Sequence, residues 1–282
     1  MNPLFRWAGS KRQLLPKLVE HFPANAERYI EPFAGSACLF FRMIPKKAIL
    51  SDINGELVGT YLQIKSAAAD VFKEIVKLDL GSKEQYYQLR SASLSEMNPA
   101  SRAARFIYLN RYSFNGLYRT NLKGEFNVPF GGGRSGSLPS EEELLEYQRS
   151  LKGVRFVCAD FGQTLGKARE GDFVYMDPPY MTSTERVFRE YDARAFGTKD
   201  LKRIRRWMEK LTERNVRFVV SYSAGPESSI LSKGFDVEFV DVRRNIAGFA
   251  ANRRSSREVL ITNRTILKTR RKPTTHAGRI NS

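Results

Sequence analysis

The segment Asp177-Pro178-Pro179-Tyr180 joins residue types that could do chemistry together. Two prolines fix the backbone after the carboxylate and remove two donors, which leaves carbonyls in the turn free to accept. Asp177 and the Pro178 carbonyl could take both hydrogens of an exocyclic amino group, while Tyr180 offers a flat face to its ring. That geometry suits an aromatic amine; taken alone, four such residues also read as a plain strand-ending turn. A second segment, Glu31-Pro32-Phe33-Ala34-Gly35-Ser36-Ala37, stands where a strand turns into a helix. Gly35 would let a ligand approach the backbone near a positive helix N-terminus. Asp52 closes the next strand, where an acid can hold ribose hydroxyls. By itself, a glycine there is an ordinary turn.

The elements that must position these residues are legible as runs. Arg28–Glu31 and Ala48–Asp52 read as strands with room for one helix between them, the first unit of a doubly wound parallel sheet. Upstream, Ser10 and Gln13 have capping-box spacing, so a helix is expected to begin near Lys11, with a kink at Pro16. From about Gly55 to Tyr147 the strand signal disappears, and helical patterns cover Leu57–Ser66, Ala69–Leu78, Lys83–Ser91 and Ala100–Asn110. Strands resume at Val154–Asp160, Asp172–Asp177 and Arg217–Tyr222, with a helix around Lys199–Arg214. The runs Val237–Val242 and Glu258–Ile261 read as a terminal hairpin joined by a basic loop. The fold class expected is α/β, a mostly parallel doubly wound sheet with a terminal antiparallel hairpin and an inserted helical segment. Its divisions are 1–54 with 148–266, the insertion 55–147, and a basic disordered tail, 267–282.

Composition narrows the chemistry. The 282 residues carry 47 Lys and Arg against 30 Asp and Glu, a net charge of +17 that attracts polyanions, so nucleic acid is the leading partner class. With two histidines, His21 and His276, zinc clusters and Ser-His-Asp triads are poorly supplied and no metal site is expected. Cys38 and Cys158 have apolar neighbours and read as buried small residues in a reducing compartment. No run reaches the roughly 18 apolar residues of a membrane span, and no secretory signal is seen, so a cytoplasmic protein without membrane contact is expected.

Together and in this order, the motifs resemble the Dam family of DNA adenine-N6 methyltransferases, α-group enzymes that use S-adenosylmethionine; the likeness runs from Phe5 to about Asn263. Phe5-Arg6-Trp7-Ala8-Gly9-Ser10-Lys11 looks like the N-terminal cofactor motif, which implies that Lys11 meets the methionine carboxylate with Trp7 packed beside it. The resemblance makes Phe33 and Gly35 part of the cofactor loop, Asp52 the ribose acid, and Asp160 with Phe161 the adenine-side contact. It makes Asp177, Pro178 and Tyr180 the catalytic turn, with Asp177 also bordering the cofactor. Ala37 stands where members carry a second glycine. The cofactor loop preceding the catalytic turn matches the α group, and the insertion then becomes the target-recognition domain.

Within the insertion, residues 102–124 contain Arg102, Arg105, Arg111, Arg119 and Lys123 without an acid, interleaved with aromatics, which suits a nucleic-acid face; the alternative is a helix whose aromatics are core and whose arginines are solvated. Phe106 and Tyr108 read as core. The stretch 110–119 is too rich in turn formers for a helix, and 110–135 resembles the DNA-reading hairpin of Dam enzymes. The likeness implies that Arg119 reads a guanine edge, that Leu117 and Pro129 meet bases, that Phe114 wedges into the stack, and that Arg6 touches the target. Arg111, Asn115 and Arg134 complete the expected DNA-binding set there. Arg243 and Arg244, in the basic loop 243–257, read as a clamp on the DNA backbone, the alternative being a solvated connection, whereas Arg203, Arg205 and Arg206 read as a solvated face. The function expected is methyl transfer to N6 of a flipped adenine in duplex DNA, in GATC, by a monomer. The alternatives are a methyltransferase acting on RNA or a protein amide, and a non-catalytic DNA-binding protein.

Overall fold

The computed structural model describes residues 1–121, 123–132, 137–181, 196–243 and 255–270. Seven strands form one sheet: β1 (Arg28–Glu31), β2 (Ala48–Asp52), β3 (Val154–Cys158), β4 (Asp172–Met176), β5 (Arg217–Ser223), β6 (Asp236–Arg243) and β7 (Ser255–Thr262). Their order is β3-β2-β1-β4-β5-β7-β6. All neighbours run parallel up to β5, and β7 is antiparallel to both β5 and β6. This is the doubly wound sheet with a terminal hairpin that the strand runs predict. The carboxyl ends of β1, β2 and β4 lie side by side, which brings the Glu31, Asp52 and Asp177 segments to one edge.

Side chains alternate across the strands. Tyr29, Leu50, Phe173, Tyr175 and Val219 face one core with α2 (Cys38–Met43), α3 (Gly55–Ile75), the inner side of α5 (Pro99–Tyr112) and α6 (Glu141–Ser150). Ile30, Ile49, Val174, Met176 and Val220 face a second core with α7 (Phe161–Leu165), α8 (Thr198–Glu213) and α9 (Pro226–Ser232). A smaller third core joins α4 (Lys83–Ser91) to Tyr108, Leu109 and Tyr112 of α5 and to Phe126 and Val128. Phe106 and Tyr108 are core residues, as their pattern indicates.

Several expectations are corrected. Residues Arg12–Leu14 form a single 3-10 turn, and α1 runs Leu15–His21. Pro16 therefore occupies the first turn, where a missing N–H costs nothing, and produces no kink. The two helices expected over 57–78 are one helix interrupted at Ala67, whose φ of −151° and ψ of 55° are non-helical. α6, with its Ser140/Glu143 capping box, was not foreseen. Cys38 is buried but Cys158 is exposed, because it ends the edge strand β3. Residues 267–270, assigned to the tail, belong to α10 (Arg264–Arg270).

Candidate active site

β4 delivers Asp177 directly after the buried Met176. Its Oδ1 lies 2.7 Å from Lys11 Nζ and accepts a hydrogen bond from Ser221 Oγ at 3.1 Å. Lys11 is 6% exposed, donates to the Gly9 carbonyl at 2.8 Å, and stands 4.8 Å from the centroid of the Tyr180 ring. The Tyr180 hydroxyl donates to Glu258 Oε2 at 2.5 Å, and its ring meets Tyr222 edge-on at 4.9 Å. Burial pushes the Asp177 carboxyl above the ordinary range, and the Lys11 ammonium and Ser221 hydroxyl oppose that rise. Behind it, Glu31 is buried and accepts from the Tyr29 hydroxyl at 2.9 Å. Burial raises the Glu31 carboxyl well above the ordinary value.

The second segment forms a tight cradle. Gly35 has φ +45°, and a Cβ there would lie 2.7 Å from Cδ1 of Trp7. Asp52 binds the loop by accepting from the Gly35 N–H through Oδ2 and from the Asn54 N–H through Oδ1, each at 2.9 Å. Ala37 takes the left-handed conformation, φ +49°, in the position where the resemblance leads one to expect glycine. Asp160 caps α7 by accepting from the Gly162 N–H at 2.9 Å. Arg203 also donates to Asp160, at 2.6 Å, and its guanidinium lies 4.4 Å over the Phe161 ring, which Phe33 approaches at 5.2 Å. Arg203, whose side chain is 42% exposed, is thus a partner of this site as well as part of the solvated face expected. Arg205 bonds Glu209, while Arg206 is exposed as expected. These groups fit S-adenosylmethionine: a carboxylate for hydroxyls, aromatic rings for a flat base, an ammonium for a carboxylate, and a glycine cradle that a Cβ would fill.

The segment 6–11 ties both sites to the expected DNA-reading hairpin. The Arg6 N–H donates to Asn110 Oδ1 at 2.9 Å, and Asn110 Nδ2 donates back to the Arg6 carbonyl at 2.7 Å. Trp7 stacks on Tyr118 with ring centres 5.6 Å apart. The hairpin arms meet through Phe114 N–H to the Pro129 carbonyl at 2.9 Å and Asn127 N–H to the Arg119 carbonyl at 3.0 Å. Its bend needs positive φ at Asn115 (54°) and Gly116 (64°), and a Cβ on Gly116 would strike Arg6. The bend leaves Phe114 and Leu117 exposed, 52% and 39%, beside exposed Asn115, Arg119 and Pro129. Arg119 Nε donates to Asn127 Oδ1 at 2.8 Å. Burial and the neighbouring Arg6 charge push the Arg111 guanidinium below its ordinary value. A further correction concerns Arg105, which is 3% exposed and bonds Glu56 at 2.8 Å and the Leu89 carbonyl at 2.7 Å. Arg134, Arg244 and the side chain of Arg243 lie outside the described residues.

Sequence reasoning missed Asn110, Ser221 and Glu258. Each is buried in the fold; Ser221, a polar residue between Val220 and Tyr222, carried a signal that could have found it.

The family model described as D12 class N6 adenine-specific DNA methyltransferase matches residues 7–246. A type II methyltransferase of Lactococcus lactis subsp. cremoris, M1.LlaDCHI, is 33% identical over 271 residues, covering 93% of this chain and 95% of its own length. The DNA adenine methylase of Escherichia coli K12 is 31% identical over 259 residues, covering 90% and 92%. That of Serratia marcescens is 37% identical over 199 residues, covering 69% and 73%. Residues 177–180, the Gly35 cradle, Glu31 and Asp52 fall within the matched span, and the chain belongs to the D12 class of N6 adenine-specific DNA methyltransferases.

Proposed function

We propose that this enzyme transfers the methyl group of S-adenosylmethionine to N6 of an adenine flipped out of duplex DNA, in the sequence GATC, as a cytoplasmic monomer. Membership of the family implies the cofactor, which when bound supplies the methyl group as an electrophilic sulfonium substituent. The amino nitrogen of adenine is buried in the stack, so the base must leave it to be reached. Its lone pair is delocalised into the ring. Asp177 and the Pro178 carbonyl accept the two amino hydrogens, which favours a more tetrahedral nitrogen and frees the lone pair for attack. Tyr180 stacks against the base. Asp177 receives a proton readily only once the nitrogen is methylated and positive, so its main role is orientation.

In this reading residues 55–147 supply target recognition, with the hairpin carried on the small third core. Arg119 reads a guanine, Leu117 and Pro129 touch base edges, and Phe114 fills the gap left by the flipped adenine. Arg6 and Arg111, whose like charges lie close enough to disfavour each other, gain from a phosphate between or beside them. Arg134, Arg243 and Arg244 add backbone contacts. The observation that carries the reading is the continuity of the segment 6–11. Within six residues it touches the exposed hairpin through Arg6 and Trp7, the cradle through Trp7, and the catalytic turn through Lys11. DNA from cells expressing the protein, digested with endonucleases that require or are blocked by N6-methylated GATC, tests it. Resistance to the blocked enzyme and cutting by the other are expected; unchanged digestion by both would overturn the GATC assignment.

A further inference from the structure

Asp177 is reached from the neighbouring strand by a buried pair of hydroxyls that the reaction as written does not use. Ser221, on β5, is fully buried, and its Oγ lies 3.1 Å from Asp177 Oδ1. The hydroxyl of Tyr175, 1% exposed on β4, lies 2.9 Å from the same Oγ. The hydrogens assign the directions. An ionised carboxylate only accepts, and Ser221 has a single O–H, so Ser221 donates to Asp177 and Tyr175 must donate to Ser221. The chain is polarised from Tyr175 through Ser221 to the carboxylate, and each link strengthens the next.

Both bonds to the carboxylate fall on one oxygen. Oδ1 takes Ser221 and the Lys11 ammonium at 2.7 Å; among the described residues no hydrogen bond reaches Oδ2. We propose that Ser221, held by Tyr175, is a positioning residue that fixes the rotation of the Asp177 carboxylate, so that Oδ2 is the oxygen presented to the target amine. The proposal rests on the assignment of Asp177 to that amine. Fixing the acceptor matters because an amino hydrogen must be met along its own direction if the nitrogen lone pair is to be turned out of the ring.

The charged and titratable groups facing Asp177 are Lys11 from the N-terminal segment, Glu31 from β1, Cys38 from α2 and Tyr175 from its own strand. Burial pushes the Cys38 thiol up to about 12 and the Tyr175 hydroxyl well above its ordinary value, so neither changes charge in the acid range. Glu31 is the remaining candidate for an acid limb, and Glu31→Gln removes it as a control.

Single-turnover methyl transfer should be measured against pH with saturating enzyme and S-adenosylmethionine, on duplex DNA from cells that lack adenine methylation. Ser221→Ala is expected to lower the rate about tenfold, the effect of one lost hydrogen bond to a charged group. Its acid limb should move to higher pH, while binding of DNA and cofactor and the melting temperature stay near wild type. Ser221→Cys, with a weaker donor, should fall between the two, and Tyr175→Phe should shift both quantities less, in the same direction. A Ser221→Ala enzyme with wild-type rate and acid limb, beside an inactive Asp177→Ala enzyme, would overturn the proposal. So would a loss traced wholly to weaker binding or lower stability with the limb unmoved. An active Asp177→Ala enzyme would instead remove Asp177 from the amine, a different failure.

Discussion

Lys11 Nζ sits 2.7 Å from Asp177 Oδ1 and 4.8 Å from the centre of the Tyr180 ring, so one ammonium covers both side chains assigned to the target base. The same ammonium is the group assigned to the carboxylate of the cofactor. It has two anionic claimants, and whichever holds it decides how exposed Asp177 and Tyr180 are to an incoming adenine.

Lys11→Met should therefore act on both substrates. Without its partner the buried Asp177 carboxyl rises further, since an opposite charge within about 4 Å typically lowers a carboxyl by about 1–3 pKa units. The acid limb of methyl transfer at saturating S-adenosylmethionine should move to higher pH, and the KM for S-adenosylmethionine should rise. A pH profile that superimposes on wild type would refute the coupling.

Arg119→Ala should lower kcat/KM on GATC duplexes roughly 5- to 150-fold, the worth of a bidentate guanine contact, and hardly affect duplexes altered at that guanine. A phosphate contact predicts something else: an equal fall on every duplex and a salt dependence lower by about one unit. Measurements at fixed salt on each single-base variant distinguish them.

Gly35→Ala should destabilise the fold by about 2–5 kcal/mol, because an L residue at positive φ costs roughly 1–2 kcal/mol and overpacking against Trp7 about 1–3 more. A contrasting position is Gly59, inside α3, where a Cβ would meet nothing within 4 Å. Gly59→Ala should stabilise by about 1 kcal/mol. Denaturant melts of the two variants should move in opposite directions.

Glu31 links stability to pH. Its carboxyl is raised well above the ordinary value by burial, so the folded chain holds a proton that the unfolded chain has released. The stabilisation is complete below the unfolded pKa and is lost as pH rises toward the folded one. Glu31→Gln should flatten that fall in melting temperature above about pH 4.5 and be the more stable protein at pH 8. Parallel curves for the two proteins across this window would contradict the assignment.

What was legible in the sequence was local. β1, β2 and the turn at Asp177 were readable because apolar runs, a glycine and two prolines act on their immediate neighbours. The start of α1 was misplaced because Pro16 serves a first turn as well as it breaks a later one. The partners of Arg105 and Arg203, Glu56 and Asp160, went unread because they lie 49 and 43 residues away, beyond any periodicity. Ser221 escaped for the same reason: its bond to Asp177 crosses from one parallel strand to the next.

The position of β7 between β5 and β6 sets when the enzyme can become competent during its synthesis. The ribosome delivers β6 before the strand that joins it to the sheet, so β5 keeps an open edge until residues 255–262 emerge. Glu258, the carboxylate that holds the Tyr180 hydroxyl, arrives with that same strand. A nascent chain thus carries Asp177 for some eighty residues of elongation, a span read from Asp177 to Glu258, before Tyr180 has its anchor. Closing the sheet and bringing Glu258 to Tyr180 are one event, and prematurely released chains should be both unmethylating and prone to pair through the open edge of β5.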